Sequence, residues 1–503
     1  MFDLPEIPYL LTLLIVIPLI AAIITLFAGN KAKYTSLVFS AITLVLAIYL
    51  LVSDDWAQYN ESFVWITAGS LQMNYILVVD GLSVLMVFLT ALLLFVVSIF
   101  SVLEKDRPNY FFALLLAMEV GLMGVYLSAD YFLFYIMWEI TLIPMFFMIS
   151  WYGGPRRHYA AIKFFIYTHV ASLVMLIGIF LLVFTAADGG IVDFSFQAVA
   201  EASALGVFSQ TFQDLVFLLL FFGFAVKMPI VPFHTWLPDA HTEAPTAGSV
   251  LLAGVMLKMG SYGIIRICLE VLPDGARTWQ VMMFVIAILA IIYGAYACIA
   301  QKDLKKMVAF SSISHMGMVM LGIACLTTIG IEFAIFQMFA HGLVTAVLFM
   351  TCGMAGHNFG TREIPLLGGL ASKVPVYAAF MMFGFMASLG LPGLVGFWGE
   401  FGIIAGFYEY LHTFHDEYLY LLAFCLLSLM LTAGYYLFAM QRSLFGGLTK
   451  KIDTTHIHDV NKFEGIAMGI MCLAIAVFGL WPGLALDLIA PYATDLAALF
   501  GGP

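Results

Sequence analysis

Charged residues are scarce in this sequence. Asp, Glu, Lys and Arg make up only 10% of the 503 residues, whereas 63% are hydrophobic. Soluble domains contain about 25% charged and 45–50% apolar residues, so the composition excludes a soluble globular chain. The net charge is −11, and the sequence lacks a basic patch of the kind that holds nucleic acid. The composition therefore predicts a polytopic membrane protein.

Cysteine is also rare, and its spacing excludes the common redox and metal motifs. No two cysteines form a C-x-x-C pair, and each lies in an apolar run, so we expect buried thiols without a disulfide or a metal site. The six are Cys268, Cys298, Cys325, Cys352, Cys425 and Cys472. No small-residue cleavage signal follows the first apolar run, so residues 9–29 are expected to be a retained span and not a signal peptide.

Long apolar runs, by contrast, are abundant. A membrane-spanning helix needs about 20 apolar residues, and this rule predicts an all-α polytopic chain with fourteen transmembrane helices. They cover residues 8–29, 34–52, 75–102, 109–128, 130–152, 158–186, 212–233, 249–272, 278–300, 304–325, 328–357, 376–408, 417–445 and 462–489. The segment 192–207 is too polar to span, and we expect it along the outer surface.

The distribution of lysine and arginine supports this count. With both termini outside, the inside loops hold most of the basic side chains, as cytoplasmic loops do. The outside loops hold only Arg266 and Arg277 and are otherwise acidic. The inside set is Lys31, Lys33, Lys105, Arg107, Arg156, Arg157, Lys302, Lys305, Lys306, Arg362, Lys373, Arg442, Lys450, Lys451 and Lys462.

Ionisable residues inside spans are informative because each costs about 2.5–3.5 kcal/mol at the centre of a membrane helix. The set is Glu119, Glu139, His169, Lys227, Lys258, His315, His341 and Glu400. A single member, such as His169, is adequately explained as a structural partner between helices. A series of alternating acids and bases instead indicates an ion or proton path.

Two spans are interrupted by proline. Pro229 and Pro232 follow Lys227 in the seventh span, and Pro392 precedes Glu400 in a glycine-rich stretch of the twelfth. Proline removes a backbone donor and clashes with the preceding turn. Non-helical backbone at membrane depth is tolerated only where protein or a water-filled cavity surrounds it. Paired interruptions in the two halves of a chain point to a transport site.

The two halves also align with each other. FFIYTHVASLVML is similar to FQMFAHGLVTAVL, which places His169 over His341, and nearly the same shift places Lys227 over Glu400. Each half holds five spans, and an odd number predicts inverted repeats. The predicted regions are an N-terminal three-helix segment (1–108), a first five-helix repeat (109–272), a second five-helix repeat (273–446) and a C-terminal helix (447–503).

A lysine beside a broken helix suits proton exchange. Burial disfavours the charged form of a lysine, so Lys227 would load and release its proton as a nearby carboxylate holds or frees it. Glu139 lies in a span that Pro144 is expected to kink, and it is the expected partner.

Several stretches resemble the antiporter-like membrane subunits of complex I. They are WEITLIPMFF, KFFIYTH, FAVKMPIVPFHTWLPDAHTEAPTAGSVLLAG, MLKMGSYGIIR, FSSISHMG and MFAHGL, and the similarity runs from about residue 75 to 445. The glutamate at position 400 resembles the M type of this family, which is the type of mitochondrial subunit 4. The L and N types typically place lysine at this position. The chain also ends soon after the last span, unlike the L type with its long lateral helix.

The resemblance implies a proton-translocating subunit of a complex I-type oxidoreductase. By resemblance, the path comprises Glu139, Lys227, Lys258, His315, His341 and Glu400. In it Glu139 tunes Lys227, Lys258 is the central relay, and Glu400 is the exit-side group. Glu104, His234 and His169 are accessory candidates, and Glu119 matches no family position.

The resemblance also implies that this chain holds no cofactor. Quinone, flavin and iron–sulfur clusters would be handled by other subunits of the complex. The membrane partners implied for this chain are L-type and N-type antiporter-like subunits and small membrane subunits. The expected location is the cytoplasmic (inner) membrane or an equivalent energy-transducing membrane.

Other members of this class stay open as alternatives. The M subunit of F(420)H(2) dehydrogenase, multisubunit Na⁺/H⁺ antiporters and membrane-bound hydrogenases share the fold and the lysines. A membrane cytochrome with His169 and His341 as haem ligands is disfavoured, because the repeat places these histidines in different halves.

Overall fold

Helices dominate the structure, as the composition predicts. The computed structural model describes residues 7–447 and 457–501. The described residues are 78% helical, and among them 12 helices are long and apolar enough to cross a membrane. Lys450 and Lys451, which the sequence assigns to an inside loop, lie outside the described residues.

The N-terminal region combines three helices with a β-hairpin. The helices are α1 (Leu10–Phe27), α2 (Ala32–Val52) and α3 (Val84–Phe100), and the strands β1 (Glu61–Ala68) and β2 (Leu71–Leu77) lie between α2 and α3. Gly69, with a φ of 64°, lets the chain reverse between the antiparallel strands. A short parallel strand, β3 (Val192–Asp193), completes the sheet in the order β1-β2-β3.

This sheet departs from the all-α prediction, and the predicted span 75–102 is wrong at its start. That span begins inside β2, whereas α3 begins only at Val84. Between the strand and the helix lies a turn at residues 81–83, in which the Asp80 carboxylate accepts the backbone N–H groups of Leu82 and Ser83 at 3.1 and 3.0 Å. This turn separates β2 from the first residue of α3.

The next region carries the first proline break. Its elements are α4 (Pro108–Leu127), α5 (Tyr131–Ile140), α6 (Leu142–Tyr152), α7 (Arg157–Ala186), α8 (Phe196–Ala204), α9 (Gln210–Lys227), α10 (Trp236–Glu243), α11 (Thr246–Leu251) and α12 (Leu257–Gly263). Two π-helical stretches, Leu252–Met256 and Ile264–Leu269, join and extend the last two, so that Thr246–Leu269 forms one span. The polar segment 192–207 contributes β3 and the short helix α8.

The following region carries the second break. It consists of α13 (Pro273–Ile299), α14 (Leu304–Cys325), α15 (Thr328–Asn358), α16 (Pro375–Ser388), α17 (Val395–Phe414) and α18 (Leu422–Leu444). Small residues allow its helices to approach closely. A Cβ at Gly294 of α13 would lie 2.7 Å from the backbone nitrogen of Ser314 in α14. Larger residues at Gly294 would therefore push these two helices apart.

The C-terminal region holds two helices where the sequence predicted one. The predicted span 462–489 is wrong, because α19 (Lys462–Leu480) ends before Pro482 and α20 (Gly483–Ala498) follows. Proline disfavours the helical conformation of the residue before it, here Trp481. The carbonyl of Leu488 in α20 would lie 2.3 Å from a Cβ at Gly81, so α20 rests directly on the start of α3.

An ionic cluster ties α20 to the helix that carries Lys258. Arg266 pairs with Asp80 at 2.5 Å and with Glu270 at 3.1 Å, and the Tyr492 hydroxyl of α20 donates to Glu270.

All six cysteines are free, and each is buried except the partly exposed Cys472, in line with the expectation of unpaired thiols.

Candidate functional site

The first break exposes backbone groups in the protein interior. Helix α9 ends at Lys227, and the following non-helical turn contains Pro229 and Pro232, which have no backbone N–H. The indole nitrogen of Trp236 donates to the carbonyl of Val226 at 3.0 Å. A side chain from the next helix thus satisfies a carbonyl that the break leaves free.

Lys227 is buried among aromatic rings. It is 1% exposed, and its ammonium lies 5.4 Å from the ring centroid of Trp138 and 5.9 Å from that of Phe164. Its hydrogen bond, at 3.5 Å, is to the hydroxyl of Thr141. Among the described residues, no carboxylate lies within ion-pair distance of this lysine.

Glu139 contacts different partners from the one that the sequence suggests. Its carboxylate lies 2.9 Å from Nδ1 of His169 and accepts the hydroxyl of Ser172. Glu139 lies in the last turn of α5 and Thr141 directly follows this helix. Because no ion pair joins Glu139 to Lys227, the carboxylate acts on the lysine through space. His169 is thereby joined to the first half of the site.

Lys258 lies where the helix widens into a π-turn. Its ammonium donates to the carbonyl of Ala253 and lies 2.7 Å from Nδ1 of His341. Ala253 belongs to the π-helical stretch Leu252–Met256, and such bulges free carbonyls from the usual helical bonds. Lys258 is fully buried, and its contact with His341 links α12 directly to α15.

The second acidic group is paired with a histidine. Oε1 of Glu400 lies 3.0 Å from Nδ1 of His315, and the other ring nitrogen lies 3.3 Å from the hydroxyl of Ser388. Ser388 donates to the hydroxyl of Tyr436 at 2.7 Å, which in turn donates to Ser311 at 2.9 Å. These contacts bring α14, α16, α17 and α18 together around Glu400.

The second break shapes the site of Glu400. The turn between α16 and α17 contains Pro392 and two glycines with positive φ, Gly390 at 78° and Gly393 at 91°. A Cβ at Gly390 would lie 2.8 Å from Oε2 of Glu400. Only glycine therefore allows both the backbone conformation and the position of the carboxylate.

A small cavity separates the two polar clusters. It has about 10 Å³ of space for water centres, and its lining includes His315, His341, Gln337 and Glu400. Nε2 of His341, Oε1 of Gln337 and Oε2 of Glu400 are buried without a hydrogen-bond partner. One water needs about 10–15 Å³, so the cavity has room for one water that would join these atoms. The rings of His315 and His341 lie 5.4 Å apart across it.

Two further buried groups were not predicted as site residues. His241 of α10 is fully buried and stacks on Phe349 at 4.5 Å, with both ring nitrogens unpartnered. Lys305, assigned to a loop from sequence, is 2% exposed and donates to the carbonyl of Ala244. His241 lies within electrostatic range of both Lys305 and Lys258. The motif LPDAHTEAP contains His241. This histidine lies between the predicted spans 212–233 and 249–272, so it was not among the ionisable residues inside spans.

The other sequence candidates lie apart from this chain of contacts. Glu104 lies in the turn after α3, where its carboxylate accepts the backbone N–H groups of Lys105 and Asp106. His234 lies in the first break, edge-on to Tyr293 at 4.8 Å. Glu119 of α4 is fully buried with neither oxygen hydrogen-bonded. Among the described residues, no group of His, Cys, Asp and Glu side chains could hold a metal ion.

Comparison with known proteins agrees with this architecture. The family described as NADH:quinone oxidoreductase/Mrp antiporter, TM, matches residues 128–430. F(420)H(2) dehydrogenase subunit M of Methanosarcina mazei is 41% identical over 504 residues, which cover 98% of each chain. NADH-quinone oxidoreductase subunit M of Rhodobacter capsulatus is 38% identical, over 93% of this chain and 91% of its own. A chain of respiratory complex I from Thermus thermophilus superposes with a TM-score of 0.88 at 27% identity, covering 98% of this chain and all of that one.

Proposed function

The chain belongs to the family of antiporter-like membrane subunits of NADH:quinone oxidoreductases and Mrp antiporters, and we propose that protons cross it through the buried groups between Lys258 and Glu400. It is an integral membrane protein and a proton-pumping, antiporter-like subunit of the M type. Proton transfer requires groups that exchange protons and lie within hydrogen-bond reach, directly or through one water.

One observation carries the proposed route. Lys258 contacts His341, the one-water cavity lies between His341 and Glu400, and Glu400 contacts His315. Every gap in this series is a hydrogen bond or a single water, and each group can both accept and donate a proton. In this route Lys258 is the central relay, the two histidines are its neighbours, and Glu400 is the exit-side group.

The first half supplies the charge that moves the proton. Lys227 has no carboxylate in contact among the described residues, so its charge depends on Thr141, on two aromatic rings and on the more distant Glu139. A proton shared between Glu139 and His169 would change the field at Lys227. We assign this pair the role of tuning Lys227, with His169 as accessory group.

Entry to the route is assigned to the end of the bundle that holds Lys305. This lysine and His241 are both buried, His241 lies within electrostatic range of Lys305 and Lys258, and both of its ring nitrogens lack a partner. A histidine with no fixed partner can receive a proton on one nitrogen and pass one from the other. The series Lys305, His241 and Lys258 therefore leads toward the central relay.

For this subunit we infer fourteen membrane crossings, with both termini on the outer side. The 12 long apolar helices, together with the shorter α3 and the interrupted pair α16–α17, make up that number. We divide them into residues 1–108, two inverted five-helix repeats (109–272 and 273–446) and a C-terminal region (447–503). Reporter fusions at Lys306 and Asp416 are expected on opposite sides, and finding both on one side would break this topology.

Redox chemistry is assigned to partner subunits. The relatives are subunits of NADH- or F(420)H(2)-oxidising complexes by name. We therefore propose that this chain couples quinone reduction elsewhere in the complex to proton movement. It would lie beside L-type, N-type and small membrane subunits, and flavin and iron–sulfur clusters would belong to other subunits of the complex. F(420)H(2) is as good a candidate donor as NADH, because the M subunit of F(420)H(2) dehydrogenase is 41% identical over nearly the whole chain.

Replacement of Lys258 tests the route. The intact complex is reconstituted into vesicles, and proton uptake is measured beside electron transfer to a soluble quinone. Lys258→Ala is expected to abolish proton uptake while the complex still assembles. Lys163→Ala is the matched control, because Lys163 also lies in a membrane helix but forms an ordinary ion pair with Asp239 at 2.7 Å. Normal pumping by Lys258→Ala, or equal loss in both variants, would refute the route.

A further inference from the structure

A second cavity lies at the end of the bundle where α13 ends and α14 begins. It has about 70 Å³ of space for water centres, several times what one water needs. Its walls come from the last turn of α13, the following turn, the segment around Ile364 and the last turns of α18. None of these residues belongs to the proton route proposed above.

Two cations line this cavity without a charge partner. Lys302 and Arg442 are exposed, and among the described residues no carboxylate lies within 4.0 Å of either. The guanidinium carbon of Arg442 lies 4.2 Å from the ring centroid of Phe438, which also lines the cavity. This contact fixes the guanidinium at the cavity, since a cation over an aromatic face is attracted to it.

A tyrosine with a buried hydroxyl lines the same space. Tyr435 lines the cavity, is 1% exposed, and has no hydrogen-bond partner for its hydroxyl. Buried polar atoms in proteins are nearly always paired, so this donor indicates a ligand that accepts hydrogen bonds. Two positive charges and one hydroxyl donor together match a phosphate group.

The surface beside the cavity is apolar. Tyr296 and Ile299 of α13 are 57% and 45% exposed, and Leu437 and Phe438 of α18 are each 45% exposed. These side chains lie on the lipid-facing flank, one or two helical turns from the cations. A charged headgroup in the cavity would therefore have acyl chains that lie along an apolar surface. A free inorganic phosphate would use only the charged half of this arrangement.

We propose that the cavity between α13 and α18 binds the phosphate headgroup of an anionic phospholipid. Lys302 and Arg442 neutralise the phosphate, and the Tyr435 hydroxyl donates to one of its oxygens. Basic pockets between membrane helices are suited to such headgroups, and each nearby cation contributes appreciably to binding. The bound lipid would fasten the ends of α13 and α18 together at the membrane surface.

Lipid retention by the intact complex tests this proposal. The complex is delipidated, placed in nanodiscs of equal phosphatidylglycerol and phosphatidylcholine, and re-extracted, and the retained lipids are counted by mass spectrometry. The wild type is expected to retain phosphatidylglycerol in preference. Lys302→Gln with Arg442→Gln is expected to weaken this preference about 30-fold, and Tyr435→Phe is expected to weaken it less without altering the charge.

A matched control separates the cavity from general surface charge. Lys31→Gln with Lys105→Gln removes two exposed cations that do not line the cavity, and retention should equal that of the wild type. Equal retention of both lipids by the wild type, or full retention by the cavity double variant, would overturn the proposal. Displacement of the lipid by 10 mM sodium phosphate, an amount chosen as roughly saturating for a weak anion site, would assign the cavity to a free anion instead.

Discussion

The cavity between His341 and Glu400 offers a test of the route that leaves every titratable group in place. Val344 lines this cavity, which has about 10 Å³ of space for water centres. Val344→Ile adds one methylene group, and a water needs about 10–15 Å³, so the added carbon leaves no room for the bridging water. The histidines, Gln337 and Glu400 are unchanged in this variant.

The expected effect follows from the atoms that lose their bridge. Nε2 of His341 and Oε2 of Glu400 have no other hydrogen-bond partner. Leaving a buried polar group unpaired costs about 1–3 kcal/mol. Added to the barrier for proton transfer, this cost slows the step by about 5–150-fold, since 1.36 kcal/mol is a factor of ten. Val344→Ile should therefore pump at a small fraction of the normal rate.

The assay is proton uptake per quinone reduced, measured in vesicles that contain the assembled complex. Val347→Ile is the matched control, because Val347 is fully buried on the same helix but packs against Gly384 instead of lining the cavity. Val344→Ala enlarges the cavity and should retain pumping. Normal pumping by Val344→Ile would show that no proton crosses this gap, and an equal loss in Val347→Ile would trace the effect to packing.

Three further substitutions test individual charges by the same ratio of protons to quinone. Lys227→Arg is expected to fail nearly as badly as Lys227→Ala, because a guanidinium keeps its proton; a fully active Lys227→Arg would leave this residue as a fixed charge. Glu139→Gln should be severe and Glu139→Asp partly active, since only aspartate keeps the negative charge beside His169, and equal losses would contradict the tuning role. Glu400→Lys should be tolerated better than Glu400→Ala, because an ammonium can still exchange a proton with His315; the reverse order would exclude Glu400 as a carrier.

The membrane class and most helix boundaries could be predicted from sequence because the bilayer imposes a strict length on apolar runs. The β-hairpin of β1 and β2 could not be predicted from sequence. The residues of β2 continue into the apolar run before α3, and short apolar runs do not distinguish a strand from a helix. Asp80 holds the turn before α3, and a single acidic residue after a strand carries little signal alone.

The charged residues of the site were found by their cost inside a span, and those at the end of a span or between spans were missed. Lys305 follows a polar turn and was counted as a loop residue, although tertiary packing buries it. The contact between Glu139 and His169 in the first half of the site could not be predicted from sequence either. Glu139 and Lys227 lie near each other, but the direction of a side chain around its helix decides that His169, and not the lysine, contacts the carboxylate.

The π-helical stretch Leu252–Met256 has a consequence for chain length. A π-turn accommodates one residue more than an α-turn over the same part of the helix, and each residue of an α-helix rotates the chain by about 100°. Deleting one residue there would let the helix become regular, and its length would hardly change. Lys258 would keep nearly the same direction, because the wide turn absorbs a surplus residue that would otherwise rotate the rest of the span by about 100°. The deletion would instead return the Ala253 carbonyl, which now accepts from the Lys258 ammonium, to the regular helical bonds, while His341 stayed within reach.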